Sequence, residues 1–377
     1  MKIVFKIFTH AFLSLTIGQV AAQKMESARL APLEKALMMG NCSMASQLRP
    51  LPSVVRDDWY SAFLYDYCIL ICTAPTDPLP ALLTNSREDV PRSYVSVLDA
   101  LGRIRQDEVS DAVGLLKQAR NESHGGTNAW LYYELSRADS TDGPAHLENL
   151  EKCISIEPRF YAAVLELLEF YDLVENREEM LGLLVPLQKD YETVDLFNYL
   201  GAVHFTGGNF EESGSWFKRS IGIQPNADGF AGIARVLDNY RNDYPSAIAA
   251  YSRSLELEWD SQVATDLAWL YHAYGENSLA EEQLRTAASR ERNAEAFCQL
   301  IVFYLRRGQY EKASLTNEEM QDVEGFAPFM YDAHVHAIGL LSKAWSILVV
   351  QKSAEQYEER YEDNEVAIRY LVRLLSL

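Results

Sequence analysis

The stretch that decides the fold is VDLFNYLGAVHFTGGNFEESGSWFKRSIGIQP, residues Val194 to Pro225. Its first half carries apolar residues at helical spacing and stops at the dipeptide Gly207-Gly208, which breaks a helix. A second helical pattern follows and stops at Pro225. The sequence therefore predicts two amphipathic helices joined by a tight turn.

The same plan recurs towards the carboxyl end of the chain. In the first helix, a small or apolar residue recurs at spacings of 33, 34 and 33 residues, at Gly201, Ala234, Ala268 and Ile301. In the second helix, a small residue recurs at spacings of 34, 33 and 33, at Ser213, Ala247, Ala280 and Ala313. Two independent positions that keep one period indicate a tandem repeat.

A helix-turn-helix repeat of this length resembles the tetratricopeptide repeat. The first unit matches that family's pattern at Phe197, Leu200, Gly201, Gly208, Phe217 and Pro225, and the next unit matches after a one-residue insertion in its turn. Weaker matches continue upstream, so about six to eight units are expected. The longer Sel1-like repeat is the alternative. The resemblance implies an all-α fold, a right-handed superhelical solenoid of stacked antiparallel helix pairs.

The amino-terminal residues have the layout of a secretory signal peptide. Lys2 and Lys6 begin an apolar run, and small residues precede a predicted cleavage site after Ala22. An uncleaved amino-terminal anchor is the alternative. We expect a signal peptide at 1–22, a helical region with a degenerate repeat at 23–92, a repeat array at 93–326 and capping helices at 327–377. We expect no membrane span after cleavage and a periplasmic or secreted location.

The charge of the chain restricts its partners. The formal net charge is −20, and loss of the two lysines of the signal peptide would make it −22. Such a surface repels nucleic acid and anionic membranes. It fits basic partners, or it is simply a solvated acidic surface.

Five cysteines remain after the predicted cleavage. Export permits disulfides, and an odd number leaves at least one cysteine without a partner in the chain. We predict a disulfide between Cys42 and Cys68, with Cys72, one helical turn further on, as the alternative partner. Cys153 is predicted to stay a buried thiol. The sequence offers no persuasive catalytic motif and no cofactor or metal site, which favours a protein without enzymatic activity.

The resemblance also implies a peptide-binding groove lined by the first helix of each pair. Carrying the family's groove positions over gives Asn198, Tyr199, Arg235, Asn239, Trp269, His272, Gln299 and Arg306. Trp and Arg are the residue types that most often carry binding energy. We expect Arg235, Trp269, His272 and Arg306 to face solvent and to share one ligand, with the arginines receiving an acidic or C-terminal group.

The function that follows is an exported scaffold that binds partner proteins or peptides, in the assembly or export of an envelope structure. The alternative is a non-catalytic subunit that docks on a separate enzyme or a carbohydrate and regulates it. A groove is always lined by some residues, so lining residues without a binding role are the simplest alternative.

Overall fold

A computed structural model describes residues 32–49, 59–74, 88–122, 125–138, 143–171, 175–292, 294–323 and 326–341. The predicted signal peptide lies outside these residues, as do residues 342–377 of the predicted cap. None of the described residues lies in a β-strand, so the all-α class is confirmed. The chain forms two compact units, and the division falls between Gly207 and Gly208.

The first unit is built of helix pairs that follow one another along the chain. The described helices of this unit are α1 (Pro32–Met38), α2 (Cys42–Leu48), α3 (Trp59–Cys72), α4 (Arg92–Ile104), α5 (Val109–Ala119), α6 (Ala129–Ala138), α7 (Gly143–Ile156), α8 (Tyr161–Leu168), α9 (Arg177–Leu187) and α10 (Val194–Thr206). From α4 onwards, α4 packs on α5, α6 on α7 and α8 on α9.

The second unit repeats this arrangement more regularly. The described helices are α11 (Phe210–Ile223), α12 (Ala227–Val236), α13 (Tyr244–Leu257), α14 (Ser261–Ala273), α15 (Asn277–Glu291), α16 (Ala294–Arg306), α17 (Tyr310–Glu319) and α18 (Pro328–Leu341). Here α12 packs on α13, α14 on α15 and α16 on α17, and α18 packs on α17. A π-helical turn at Leu237–Arg241 extends α12.

Three successive helices of the second unit begin at an Asn or Asp residue. The side chains of Asn226, Asp243 and Asp260 each accept a hydrogen bond from the backbone N–H three residues further on. Such a cap satisfies one of the backbone donors that a helix leaves unpaired at its start. These residues therefore fix where α12, α13 and α14 begin.

The small or apolar positions that define the repeat lie in the interior. All eight are buried, at Gly201, Ala234, Ala268, Ile301, Ser213, Ala247, Ala280 and Ala313. In the second unit, Ala234 and Ala247 share one apolar cluster, and Ala268 and Ala280 share the next. Close approach of two helices requires small side chains at the crossing. The helix pairs are thus tetratricopeptide-like, as the sequence predicts.

A left-handed residue occupies the turn after each of the four first helices α10, α12, α14 and α16. The φ angles are +75° at Gly208, +51° at Asn242, +92° at Gly275 and +66° at Gly308. Glycine adopts this conformation without steric cost, and asparagine is tolerated there. The predicted one-residue insertion lies just before Asn242, where the π-helical turn takes up the extra residue.

The first unit departs from the repeat pattern at Glu134, which occupies the small position of α6. Its side chain is buried, accepts a hydrogen bond from the hydroxyl of Tyr67 on α3, and pairs with Arg137 at 3.2 Å. Burial raises the pKa of Glu134, and Arg137 opposes that effect. Tyr67 packs beside this carboxylate and satisfies it. The first unit therefore keeps its helix pairs although a small residue is missing at this position.

The disulfide joins Cys42 to Cys72, with the two Cα atoms 4.9 Å apart. The predicted pairing of Cys42 with Cys68 is therefore wrong, and the alternative partner is the observed one. Cys42 begins α2 and Cys72 ends α3, so the start of one helix meets the end of the other. Cys68 lies one turn earlier as a buried thiol whose pKa is raised by burial. Cys153 is also a buried free thiol, as predicted.

The described part of the predicted cap is α18. Ala333 and Ala337 are fully buried and join the apolar cluster of the last helix pairs. Within the described residues, no helix combines the length and the apolar character that crossing a membrane needs. The same residues contain no group of three His, Cys, Asp or Glu side chains placed to hold a metal ion.

Candidate partner-binding surface

Trp269 lies on α14 and connects two successive first helices of the second unit. Its side chain is half-buried, and its indole Nε1 donates a hydrogen bond to Oε1 of Gln299 on α16 at 3.1 Å. The indole also meets the fully buried ring of Phe303 edge to face, with centroids 6.3 Å apart. The contacts with α16 fix the orientation of the indole, so the expectation that Trp269 simply faces solvent is only half correct.

Two arginines at the end of α16 stack on this aromatic surface. The guanidinium of Arg306 lies 4.9 Å from the centre of the Trp269 indole, and that of Arg307 lies 5.7 Å from the centre of the Phe303 ring. Both arginines are exposed. Among the described residues, no carboxylate lies within ion-pair distance of either guanidinium. Within the described part of the chain, Arg241 and Arg292 of the same unit likewise have no ion pair, so the feature of Arg306 and Arg307 is that both stack on one aromatic surface.

His272 of α14 lies beside Trp269 and Phe303 and belongs to the same surface. Its ring meets Phe303 and Trp269 edge to face at 5.5 Å and 5.8 Å. Its Nδ1 lies 2.7 Å from Oδ1 of Asn277, whose amide nitrogen is directed to the Gly275 carbonyl. The amide oxygen accepts, so Nδ1 carries the hydrogen. In the neutral ring, Nε2 is then left as an acceptor.

These side chains form one surface patch, which we name the Trp269 cluster. It offers an aromatic face, two guanidinium groups, an amide and an imidazole acceptor. Its members are Trp269, His272, Gln299, Phe303, Arg306 and Arg307. Four of the six are predicted groove residues. Sequence reasoning missed Phe303 and Arg307, because Phe303 is a buried floor residue and Arg307 lies in the turn that follows the helix.

Arg235 lies on the preceding first helix, and its charge is already paired. Its Nε donates to Oδ2 of Asp266 at 3.1 Å, and the other Asp266 oxygen accepts from Gln262 at 2.9 Å. Asp266 occupies the Nε of Arg235, so an acidic group of a ligand would have to share this guanidinium, and the role of Arg235 in binding stays a prediction. Burial and the nearby Asp266 carboxylate raise the pKa of Asp238, which places a second acidic group beside this pair.

The other predicted groove residues are not members of the Trp269 cluster. Asn239 is exposed in the π-helical turn, where its side-chain amide donates to the Arg235 carbonyl at 2.9 Å. Asn198 and Tyr199 are half-buried on α10 in the first unit. Tyr199 lies near Tyr161, whose pKa rises to about 12, mainly through burial and slightly through that neighbour. A role of these three residues in binding stays a prediction.

A comparable aromatic-arginine pair lies elsewhere in the second unit. Arg290 stacks on Trp259 at 4.3 Å, but the Trp259 indole donates to the carboxylate of Glu291 at 3.1 Å. The Glu291 carboxylate thus occupies the indole N–H of Trp259, although it forms no ion pair with Arg290. The pair provides a matched control for the Trp269 cluster.

No model of a known protein family matches the sequence, and no curated protein matches it. Solved structures do resemble it. A tetratricopeptide repeat protein from Parabacteroides merdae ATCC 43184 is 17% identical, covers 67% of this chain and 98% of its own, and has a TM-score of 0.48. The chain in the structure of MamA is 13% identical, with 51% of this chain and 94% of that chain covered and a TM-score of 0.26.

The structure of the APC/C hetero-tetramer Cut9-Hcn1 supplies a further similar chain. It is 12% identical, with 94% of this chain and 85% of that chain covered and a TM-score of 0.38. All three TM-scores lie below 0.5. The assignment of tetratricopeptide-like helix pairs therefore rests on the period, the buried crossings and the turns described above.

Proposed function

We propose that the protein is an interaction scaffold that holds a segment of a partner protein at the Trp269 cluster, and that a carboxylate of the partner binds Arg306 and Arg307. The observation that carries this proposal is the pair of exposed guanidinium groups stacked on aromatic rings. Nothing in the described chain neutralises them.

The chemistry of a stacked guanidinium favours this ligand. Its planar fork matches the two oxygens of a carboxylate, and stacking on a ring restricts its motion before the ligand arrives. Trp269 presents a half-buried indole beside the charge, so an apolar neighbour of the carboxylate has a surface to pack on. A short segment with one carboxylate and an adjacent apolar side chain fits both features.

The overall charge of the protein limits how acidic the partner segment is. A chain with a net charge of −20 repels a strongly acidic partner at long range. The attraction is therefore local and short in range, which favours a C-terminal carboxylate or a single Asp or Glu over an acidic tract.

Export and a role in assembling or exporting an envelope structure belong to the same proposal. They rest on the sequence of residues 1–22. Amino-terminal sequencing of the protein recovered outside the cytoplasm tests this part, and the expected first residue is Gln23. Recovery of a soluble protein that still begins with Met1 would contradict it.

Photo-crosslinking tests the binding site directly. Glu295 is exposed on α16, one turn before Gln299, so benzoylphenylalanine fits at this position without entering the core. The expected crosslinks lie within a few residues of a carboxylate of the partner. They decrease in the double variant Arg306→Ala/Arg307→Ala and persist in the matched control Arg290→Ala. Equal crosslinking in all three proteins would reject the site.

A further inference from the structure

Helix α1 is almost entirely buried although it has only seven residues. Leu33, Glu34, Ala36, Leu37 and Met38 are each at most 9% exposed. An isolated helix of this length is not stable in water, because its few hydrogen bonds do not offset the cost of nucleation. Its helical structure therefore depends on the surface on which it lies.

That surface is assembled from well-separated parts of the first unit. Tyr60 of α3 donates a hydrogen bond to Glu34 at 2.7 Å, and Trp130 of α6 donates to the Tyr60 hydroxyl at 3.1 Å. Lys35 lies 5.3 Å from the centre of the Tyr191 ring, in the segment before α10. The residues that contact α1 thus come from α3, where Trp130 of α6 supports Tyr60, and from the segment before α10.

The negative charge of Glu34 raises the pKa values of several residues of the first unit. Burial raises the pKa of Tyr94 on α4 to about 12, and the Glu34 carboxylate adds to that rise. The same carboxylate raises the pKa values of Arg159 and Tyr191, although burial and nearer groups act more strongly on both. The Glu34 carboxylate thus accepts a hydrogen bond from Tyr60 and raises the pKa values of two further tyrosines and of a buried arginine.

These contacts have the character of ligand recognition. A carboxylate meets a phenol, an ammonium group meets the face of an aromatic ring, and Leu33, Leu37 and Met38 supply one apolar stripe. A short amphipathic helix that binds a groove uses apolar anchors at this spacing, with polar groups that fix its orientation.

The disulfide keeps α1 in place. Cys42 follows the last residue of α1 after a turn of three residues and is bonded to Cys72 at the end of α3. A covalent link of this kind holds a ligand at a high effective concentration beside its site. A competing ligand must therefore overcome a tethered helix rather than a free one.

We infer that the first unit has a second binding site, and that α1 is an internal ligand occupying it. The external ligand of this site is a short amphipathic helix with the pattern of residues 33–38, Leu-Glu-Lys-Ala-Leu-Met. Such a helix binds in place of α1 when α1 is displaced. This site is independent of the Trp269 cluster.

The test uses the full chain and a fluorescein-labelled peptide with the sequence of residues 32–41. In the variant Leu37→Asp, a buried carboxylate displaces α1, because its desolvation is not compensated. We expect the peptide to bind this variant at least about tenfold more tightly than the wild-type chain. Met44→Asp is the matched control, since Met44 is exposed on α2, and it should bind the peptide no better than wild type.

A second variant and a second measurement make the outcome decisive. Cys42→Ser/Cys72→Ser should lower the hydrogen-exchange protection of residues 32–38 at least about tenfold while α6 keeps its protection. A peptide that itself carries Leu37→Asp should not bind the displaced chain. Equal peptide binding to all variants, unchanged exchange of α1, or loss of the helical signal of the whole unit in Leu37→Asp would each overturn the inference. In the last case α1 is part of the core.

Discussion

The indole nitrogen of Trp269 and the side-chain oxygen of Gln299 are joined by a hydrogen bond of 3.1 Å between two successive first helices. The bond fixes the orientation of the indole ring, and the Arg306 guanidinium lies over the face of that ring. The same side chain thus joins α14 to α16 and forms the face offered to a ligand. Stability and binding are therefore coupled at this residue.

Replacement of Trp269 tests this coupling. Trp269→Ala should lower the free energy of unfolding by about 2–3 kcal/mol, because a half-buried ring and its contact with Phe303 are lost. Trp269→Phe keeps an aromatic face and loses only the N–H donor, so the loss should be about 1 kcal/mol. Urea denaturation followed by circular dichroism measures both. If Trp269→Ala leaves the midpoint unchanged, the indole is not held by α16 as described.

Gly232 is predicted to be the most sensitive glycine of the second unit. A Cβ atom at this position of α12 would overlap the ring of Phe217 on α11. Gly232→Ala should therefore destabilise the unit by about 1–3 kcal/mol, the cost of overpacking a core. The thermal unfolding midpoint measures the loss.

Gly222 provides the matched control for this substitution. It lies in α11, and outside its own helical turn no atom lies within 4 Å of the position that its Cβ would take. Gly222→Ala should raise stability by about 0.5–1 kcal/mol, since alanine favours a helix over glycine. Equal effects of the two substitutions would show that α11 and α12 do not approach as closely as described.

The disulfide gives a prediction that distinguishes the two pairings directly. Peptide mapping without reduction should link Cys42 to Cys72 and find Cys68 and Cys153 as thiols. Cys72→Ser should lower the free energy of unfolding by about 3–4 kcal/mol, as expected for a closed loop of this length. Cys68→Ala should leave the linked peptide unchanged, because Cys68 is not part of the disulfide. A Cys42–Cys68 peptide would contradict the structure.

The sequence predicts the repeat well because the residues that show the period lie at positions where steric constraints allow few residue types. Ala247 and Ala280 are fully buried at helix crossings, and Gly275 and Gly308 have left-handed backbones. Few residue types satisfy either condition, so the pattern persists through otherwise different repeats. Upstream it fades where a larger residue such as Glu134 is accommodated by a partner from another helix.

The details of the candidate site depend on three-dimensional relationships that spacing alone does not contain. The family positions place Arg235 and Arg306 in a groove, but the structure pairs Arg235 with Asp266 and leaves Arg306 on Trp269. In the same way, Cys68 and Cys72 lie one turn apart, and only the placement of α2 against α3 selects between them.

The last prediction concerns His334, which is fully buried on α18. Its Nδ1 lies 2.8 Å from Oδ1 of Asn317 on α17, and the Asn317 amide donates to the Tyr331 carbonyl at 3.2 Å. Burial lowers the pKa of His334 to about 3. In the unfolded chain the pKa of a histidine is about 6.5.

Between pH 6.5 and 3 the unfolded chain therefore binds a proton at His334 that the folded chain excludes. The contribution to stability is fully present above pH 6.5 and is lost as the pH falls, by up to about 1.4 kcal/mol for each pH unit. His334→Asn cannot titrate and keeps a nitrogen donor near the position of Nδ1. Its free energy of unfolding should be lower at pH 7 because of the cavity, but should fall less steeply than that of wild type between pH 7 and 5. Parallel pH profiles of the two proteins, measured by urea denaturation, would show that His334 takes up its proton without leaving the packed interface of α17 and α18.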